Sequence, residues 1–185
     1  LIELGIKVFN YRNKFINDIS EYLSKNYEKI AGKQGIKLVY KSDFMNKTKE
    51  ELREMYKKEN QKEIVLGKTN LGIHHDDFEF SLNNLLLKDF GSEGEQKNAV
   101  ISLKMAELDI FRGQKGITPI LILDDLFSEL DEEKINNIMT FIDKDVQTFV
   151  TTTELDKLID DLKVNSKIFI VDSNGVYIRK SIKIV

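Results

Sequence analysis

The sequence predicts an α/β fold, and three observations support this prediction. Short apolar runs alternate with helical patterns between residues 90 and 171, as strands and helices do in an α/β sheet. The run Ile120–Leu123 is continuously apolar, which is typical of a strand buried on both faces of a parallel sheet. Of the 185 residues, 41% are hydrophobic and 32% are charged, so the chain is globular and long enough to bury a core.

The first third of the chain predicts lysine-rich helices around one strand. Apolar residues recur at steps of three and four and predict one face of a long helix that ends before Gly32. Ile36–Lys41 predicts a strand, and Thr48 with Glu51 predicts a capping box that opens a second helix. The apolar positions of the first helix are Leu1, Leu4, Val8, Tyr11, Phe15, Ile19 and Tyr22.

The next stretch predicts a hairpin followed by a helix. Asp77–Leu82 alternates between polar and apolar residues, Asn83-Asn84 suits a tight turn, and Leu85–Phe90 predicts the return strand. A helix is then expected, which Gly113 and Gly116 break. Its predicted buried side consists of Ala99, Val100, Leu103, Ala106 and Ile110.

The last third of the chain predicts strands and one more helix. After the apolar run at 120–123, a helix is expected from about 131 to 141 and a strand at 146–150. Two further strands, at 167–171 and 176–178, flank a turn and predict a hairpin.

The composition excludes several classes of site. There is no cysteine, which excludes a disulfide framework, a thiolate metal site and a cysteine nucleophile, and which fits a reducing, cytoplasmic location. No apolar run approaches the ~20 residues that a membrane span needs, and the first residues do not resemble a signal peptide. Because there is no initiator methionine, we expect the chain to begin within a longer protein.

The charge is unevenly distributed. The net charge of −3 argues against a generally basic nucleic-acid binder. Residues 1–65 nevertheless carry 14 lysines and arginines against 10 acidic residues, whereas residues 66–185 carry 14 against 21. Two interpretations remain open for the basic first third: it contacts phosphates, or it is a solvated helical surface.

The strongest chemical signal is the pair Asp124 and Asp125 at the end of the apolar run. Two carboxylates at the carboxyl end of a buried strand lie where α/β sheets bind ligands. A hard cation such as Mg²⁺ takes oxygen ligands and bridges to phosphates, so one aspartate can hold the metal while the next orients a water. The alternative is that an aspartate only caps the following helix.

A second signal is the glycine-containing start of a helix at Gly91–Gln96. Glycines let a backbone approach a phosphate closely, and the N-terminus of a helix offers free N–H groups. The alternative is a plain capping box formed by Ser92 and Glu95. Glu93 and Glu95 also repel a phosphate if their side chains face it.

Two polar segments complete the pattern. Leu126–Asp131 follows the aspartates and is turn-forming around Ser128 and Asp131. The strand at 146–150 ends in three threonines, 151–153, which either reach the same pocket or reflect only the β-propensity of threonine. The adjacent His74 and His75 also invite a metal interpretation, but no third ligand cluster lies at metal spacing.

Together these motifs resemble the C-terminal lobe of an ABC-type ATPase head. Gly91–Lys97 resembles the signature motif, and Ile120–Asp125 resembles the Walker B strand. Ser128–Asp131 resembles the D-loop, and the threonines resemble the switch region that senses the γ-phosphate. The combination and its order are far more specific than any one motif.

Longer stretches resemble the RecF family of bacterial recombination-mediator ATPases. Gly72–Asp77 is similar to the family's Gly-Pro-His-Arg-Asp-Asp, and Phe90–Lys97 contains a variant of its Gly-Ser-Gln-Gly-Gln-Gln-Arg. Further matches cover Leu103–Glu107, Pro119–Asp131 and Val146–Thr153. The chain departs from the family pattern at Ile73, His75, Glu93, Glu95 and Lys97.

The resemblance implies a domain arrangement. Residues 1–65 are expected to be the end of a helical α+β arm domain. Residues 66–185 are expected to form the C-terminal lobe of a P-loop ATPase head, with a mainly parallel sheet and flanking helices. The P-loop itself, Gly-x-x-x-x-Gly-Lys-Ser/Thr, does not occur in the sequence, and the family carries it in the N-terminal lobe. We therefore expect a C-terminal fragment without ATPase activity of its own.

The resemblance also implies site residues and cofactors, namely ATP and Mg²⁺. Asp124 is expected to bind Mg²⁺ and Asp125 to orient the attacking water. In an ATP-bound homodimer, the signature residues of one subunit contact the nucleotide of the other. The residues implied in trans are Ser92, Gly94 and Gln96; those of the D-loop are Ser128 and Asp131; those of the switch are Thr151 and Thr152.

The implied function is ATP-dependent DNA binding in recombinational repair and replication. Members of the family bind single-stranded DNA and its junctions with duplex, and act with RecR-like and RecO-like proteins to load recombinase at gaps. Two alternatives remain open. One is the head of another SMC-like ABC-type ATPase. The other is a non-enzymatic interaction module in which the aspartates and the capping box only build the fold.

Overall fold

The computed structural model describes residues 1–125, 132–142, 144–153 and 166–178, except for the side chains of residues 114 and 115. The chain divides into two compact units, Leu1–Ile117 and Thr118–Val185. Helices and strands occur in both units, so the predicted α/β class is confirmed. The domain boundary expected between residues 65 and 66 stays a prediction.

The first unit, all of whose residues are described, combines helices with an antiparallel sheet of three strands in the order β1-β2-β3. Its helices are α1 (Ile2–Ala31), α2 (Lys49–Leu66), α3 (Leu87–Phe90) and α4 (Glu93–Lys115). Its strands are β1 (Ile36–Lys41), β2 (Asp77–Leu82) and β3 (Leu85–Leu86).

Packing of α1 against α4 forms the core of this unit. Small residues on α4, Ala99 and Ala106, are fully buried and let the two helices approach closely. Ile36 and Leu38 add the buried face of β1 to the same cluster. The large core side chains that α1 contributes are Ile19, Leu23 and Tyr27.

Local signals explain most of the boundaries in this unit. Thr48 and Glu51 form the predicted capping box at the start of α2. The turn between β2 and β3 is made by Asn83 and Asn84 with φ of 52° and 66°, the left-handed conformation that asparagine tolerates. The strand predicted at Ile36–Lys41 is confirmed with the same bounds, and its side chains alternate between buried and less buried positions.

Four predictions for this unit are wrong. Gly113 does not break α4, which continues through it to Lys115 and ends at its C-cap, Gly116. The return strand stops at Leu86, and residues 87–90 form α3, whose Leu87 is buried in the core.

Of the predicted stripe of α1 only Ile19 is buried, and Val8 and Tyr22 are half-buried. The N-terminal half of α1 packs with a different face, where Gly5 lies against Phe44 and Phe9 stacks on Tyr40. On α4, Val100 is exposed because it faces away from α1. The exposed stripe residues are Leu1, Leu4, Tyr11 and Phe15.

A buried aspartate ties α1 and β1 to the segment before β2. The side chain of Asp76 is 1% exposed, and its Oδ2 lies 3.2 Å from Arg12 Nη1 on α1. Tyr40 on β1 donates a hydrogen bond to the same oxygen, and Arg12 also donates to the Ile73 carbonyl at 2.5 Å. Burial, and then the bond to Asp76, raise the pKa of Tyr40.

The second unit contains the parallel strands that were predicted, in a smaller sheet. Its elements are β4 (Leu121–Leu123), α5 (Glu132–Phe141), β5 (Thr148–Val150), β6 (Phe169–Asp172) and β7 (Gly175–Ile178). β4 pairs in parallel with β5, and β6 pairs with β7 as the predicted antiparallel hairpin. None of the described helices combines the length and the apolar character of a membrane span.

The expectation that β4 is buried on both faces is wrong. Leu123 is buried, but Ile122 is 67% exposed and its partner across the ladder, Phe149, is 49% exposed. Within the described residues the sheet has only these two strands, and one of its faces has no covering layer.

The buried position of Asp76 generates a stability prediction. We expect Arg12→Ala to lower the free energy of unfolding by about 2 kcal/mol, because it removes the cation from a carboxylate that stays buried. Urea denaturation of the 185-residue chain measures this. The matched control is Lys25→Ala on the same helix, which breaks an exposed pair with Glu21 and should lower the free energy of unfolding far less. Equal losses in both variants would contradict the role given to Asp76.

Candidate nucleotide-binding site

The two aspartates predicted to bind and use Mg²⁺ follow β4 directly. In the parallel ladder Leu123 lies opposite Val150, so the next residues, Asp124 and Thr151, meet at the carboxyl edge of the sheet. The N–H of Thr151 donates to the Leu123 carbonyl at 3.0 Å, which extends the ladder by one residue. This edge is where ligands bind in open α/β sheets.

The hydroxyl of Thr151 contacts both aspartates. It donates a hydrogen bond to Asp124 Oδ1 at 2.5 Å and accepts one from the backbone N–H of Asp125 at 3.0 Å. Thr151 therefore lies beside the aspartates, as its position in the sequence indicated. Its function as a switch residue stays a prediction.

Asp125 adopts an unusual backbone conformation. Its φ is 47°, in the left-handed region that few residues other than glycine occupy. Aspartate is among the residues that tolerate it, at a cost of order 1–3 kcal/mol. The hydrogen bond from Asp125 N–H to the Thr151 hydroxyl stabilises this conformation.

The second predicted site, the start of α4, is a complete capping box. The Ser92 hydroxyl accepts from Glu95 N–H at 3.3 Å and donates to Glu95 Oε2 at 3.0 Å. The N–H of Ser92 donates to the same carboxylate oxygen at 2.9 Å. The capping box that was the alternative interpretation of Ser92 is therefore present. A contact of Ser92 with the nucleotide of a second subunit stays a prediction.

Lysines neutralise both glutamates of this helix start. Lys33, just after α1, lies 2.8 Å from Glu95 Oε1, and Lys97 lies 2.8 Å from Glu93 Oε1. The hydrogen bond from Lys33, followed by those from Ser92, lowers the pKa of Glu95 to about 2. Lys97 likewise lowers the pKa of Glu93. The repulsion of phosphate expected from these carboxylates is therefore reduced.

The two glycines of this motif have different reasons to be glycine. A Cβ on Gly91 would lie 2.5 Å from the Leu87 carbonyl oxygen, so packing within the chain requires glycine there. A Cβ on Gly94 would meet no atom of the described residues within 4 Å, and φ at Gly94 is not in the left-handed region. Of the ten glycines, all of them described, Gly94 alone has neither a positive φ nor a close neighbour.

The other predicted site residues are placed as follows. Gln96 turns back, and its Nε2 donates to the Gly91 carbonyl at 3.1 Å. Thr152 follows Thr151 at the edge of the sheet and is half-buried. Ser128 and Asp131 lie outside the described residues.

The donors at the edge of the sheet fit Mg²⁺ of the kind that nucleotides carry. Asp124 offers an exposed carboxylate whose orientation is fixed by Thr151. Mg²⁺ prefers one or two carboxylates together with phosphates and waters to an all-protein cage. Among the described residues there is no cluster of three or more side chains that could hold a metal by themselves.

The adjacent histidines lie in the segment anchored by Asp76. His75 N–H donates to the Gly72 carbonyl at 2.9 Å, and His75 Nε2 lies 2.9 Å from the Thr69 carbonyl. The ring of His74 packs 4.2 Å from that of His75. These contacts give His75 a structural task that its sequence position did not reveal.

Two basic residues that pair with important carboxylates, Lys33 and Arg12, were not identified from the sequence. Each acts on a carboxylate more than 60 residues away, Glu95 and Asp76 respectively. Neither lies in a motif, so only the packing of α1 against its neighbours identifies them.

Comparison with known proteins finds relatives of one kind. No protein-family model matches the chain. The DNA replication and repair protein RecF of Trichlorobacter lovleyi is 33% identical over 178 residues, covering 93% of this chain and 48% of that protein. RecF of Geotalea uraniireducens is 37% identical over 190 residues, covering 95% of this chain and 50% of that protein. The chain is homologous to RecF.

Solved structures show the same similarity. The recombination mediator protein RecF with ATP, from the RecFOR pathway, superimposes with a TM-score of 0.71 at 25% identity, over 84% of this chain and 43% of that chain. RecF with ATPrS gives a TM-score of 0.72 at 24% identity. The chain spans about half the length of the curated RecF proteins it matches.

The shifted pKa of Glu95 generates a prediction for the capping network. Because the folded-state pKa lies below the ordinary value, the stabilisation that Glu95 provides is complete above about pH 5. It is lost as the pH falls through 2. We expect the Glu95 carboxyl to titrate near pH 2 by carboxyl-detected NMR, and Lys33→Met to raise that midpoint.

The control for this titration is Lys25→Met, which removes a lysine from α1 but belongs to the pair with Glu21. It should leave the midpoint of Glu95 unchanged. If Lys33→Met also leaves it unchanged, Lys33 is not the main cause of the low pKa.

Proposed function

We propose that this chain is the C-terminal part of an ATP-dependent DNA-binding protein of recombinational repair and replication. The observation that carries the proposal is the arrangement of Asp124, Asp125 and Thr151 at the carboxyl edge of two parallel strands. The homology to RecF, and the likeness to RecF with ATP, support it.

Two carboxylates with different tasks explain the chemistry of this edge. Asp124, exposed and held by Thr151, binds the cation that accompanies ATP. The bound Mg²⁺ supplies charge neutralisation for the phosphates. Asp125, displaced by its left-handed backbone, orients a water for attack. Because an aspartate is one methylene shorter than a glutamate, we expect slow turnover, as suits a switch.

The start of α4 acts on the nucleotide of a second subunit in this proposal. Gly94 supports this role, since the described chain gives it no reason of its own to be glycine. A glycine in a helix costs stability relative to alanine, but it lets a partner approach the backbone closely. The capping bonds of Ser92 hold the N–H groups of this turn in place for such a partner.

DNA binds to the helical first third in this proposal. The net charge of +4 over residues 1–65 attracts phosphates, but many of its cations are already paired with carboxylates. We therefore expect weak binding that falls steeply with salt. Single-stranded DNA, its junctions with duplex, and RecR-like and RecO-like proteins are the proposed partners. The paired cations are Arg12, Lys25, Lys33, Lys41, Lys49, Arg53, Lys57 and Lys62.

The alternative of a purely structural role is favoured by one observation, the complete capping box at Ser92. A test at Gly94 separates the two functions, because it changes the surface of α4 without touching the box. In the 185-residue chain, we expect Gly94→Ala to raise the free energy of unfolding by about 0.5 kcal/mol.

The same substitution should abolish ATP-dependent dimerisation in a RecF-length protein that joins this chain to a P-loop half. Analytical ultracentrifugation with and without Mg-ATP measures this. The control is Glu93→Ala, which alters an exposed neighbour and breaks only its pair with Lys97. A Gly94→Ala protein that dimerises as strongly as the parent would leave only the structural role.

The two aspartates are distinguished by their effects on hydrolysis. In the same RecF-length protein, we expect Asp125→Asn to keep ATP binding and to lower kcat by ~10²–10⁴. Asp124→Asn should instead weaken the dependence of ATP binding on Mg²⁺. Single-turnover hydrolysis and nucleotide binding across a Mg²⁺ titration measure both. Equal and mild effects of the two substitutions would favour a structural role for the pair.

A further inference from the structure

The hydroxyl of Thr151 is fully engaged as a donor. A threonine hydroxyl carries one proton and two acceptor lone pairs. In Thr151 the proton is donated to Asp124 Oδ1, and one lone pair accepts from Asp125 N–H. Phosphate oxygens at neutral pH accept hydrogen bonds and do not donate them, so a residue that contacts a γ-phosphate through its hydroxyl must have a proton to give.

These two bonds act on the aspartates in different ways. The bond to Asp124 fixes the rotation of its carboxylate, because one of the two oxygens is held. The bond from Asp125 N–H fixes the main chain at a residue whose φ of 47° is otherwise unfavourable. One side chain just after β5 therefore holds both the carboxylate of Asp124 and the main chain of Asp125.

We infer that Thr151 is a positioning residue for Asp124 and Asp125 and does not contact the γ-phosphate. This inference rests on the proposed function for the use of the two aspartates, but the hydrogen bonds that define it belong to the chain itself. It replaces the role in phosphate sensing that the family resemblance implies for Thr151. The role depends on the hydroxyl, while the β-branched body only suits the end of a strand.

The test uses the 185-residue chain and three variants. Thr151→Val keeps the shape and removes the hydroxyl, and Thr151→Ser keeps the hydroxyl. The matched control is Thr148→Val, which removes a hydroxyl from the same strand that donates to the Val146 carbonyl instead. The first readout is hydrogen exchange of the Asp125 amide. The second is the carboxyl ¹³C signal of Asp124.

In Thr151→Val, the Asp125 amide hydrogen should exchange with solvent about tenfold faster than in the parent, as expected for the loss of one ordinary hydrogen bond. It should also shift the carboxyl signal of Asp124. Thr151→Ser should stay within about twofold of the parent, as should Thr148→Val. Retention of the parent values by a folded Thr151→Val chain would overturn the inference. Faster exchange of the Asp125 amide in Thr151→Ser would also overturn the inference. If Thr151→Val does not fold, the serine variant provides the test.

A Mn²⁺ titration of the same samples tests the proposed function separately. Paramagnetic broadening of the Asp124 and Asp125 signals in the parent chain supports the cation site, and weaker broadening in Thr151→Val supports the positioning role. Absence of broadening in the parent contradicts the proposed use of Asp124. The exchange result for Asp125 still decides the role of Thr151 in that case.

Discussion

The parallel pairing of β4 with β5 is the constraint on which the carboxylate site depends. An antiparallel pair would place the end of one strand beside the start of the other, whereas the parallel register brings Asp124 and Thr151 to the same edge. The hydrogen bond from Thr151 N–H to Leu123 extends that register beyond the strands. Asp125 follows directly, and the hydrogen bond from its N–H to the Thr151 hydroxyl stabilises its unusual φ.

Hydroxyl-to-carboxylate bonds hold the starts of two helices and the edge of the parallel strand pair. Thr48 binds Glu51 at the start of α2, Ser92 binds Glu95 at the start of α4, and Thr151 binds Asp124 beside β4. In the two capping boxes the bond is local, three residues apart, and follows from the sequence pattern. At Thr151 the same chemistry spans 27 residues and exists only because the strands pair.

Local rules predicted the features that local interactions create. The strand Ile36–Lys41, the two capping boxes and the asparagine turn at Asn83 and Asn84 all have the predicted form, because propensity and short-range hydrogen bonds decide them. The aspartate pair was found by its position after an apolar run.

Tertiary interactions determine the features that the sequence patterns did not predict. Leu87 was assigned to a strand, yet it turns into the core on a short helix because the α1–α4 cluster accepts it. Ile122 and Tyr11 have the spacing of buried residues and are exposed. Arg12 lies on an exposed turn of α1 and Lys33 lies just after that helix, and their importance arises from carboxylates that the fold brings to them.

The start of α4 shows why a stability argument alone cannot assign its function. Every polar contact of Ser92 and Glu95 has an explanation within the chain, and the network lowers the pKa of Glu95 to about 2. Stability would be served as well, or better, by alanine in place of Gly94. Gly94 lowers the stability of its helix, and no neighbouring atom of the described chain excludes a larger side chain there. The close approach of a second molecule explains such a glycine. Gly94, with the weakest ties to the chain, is therefore the most informative position in the motif.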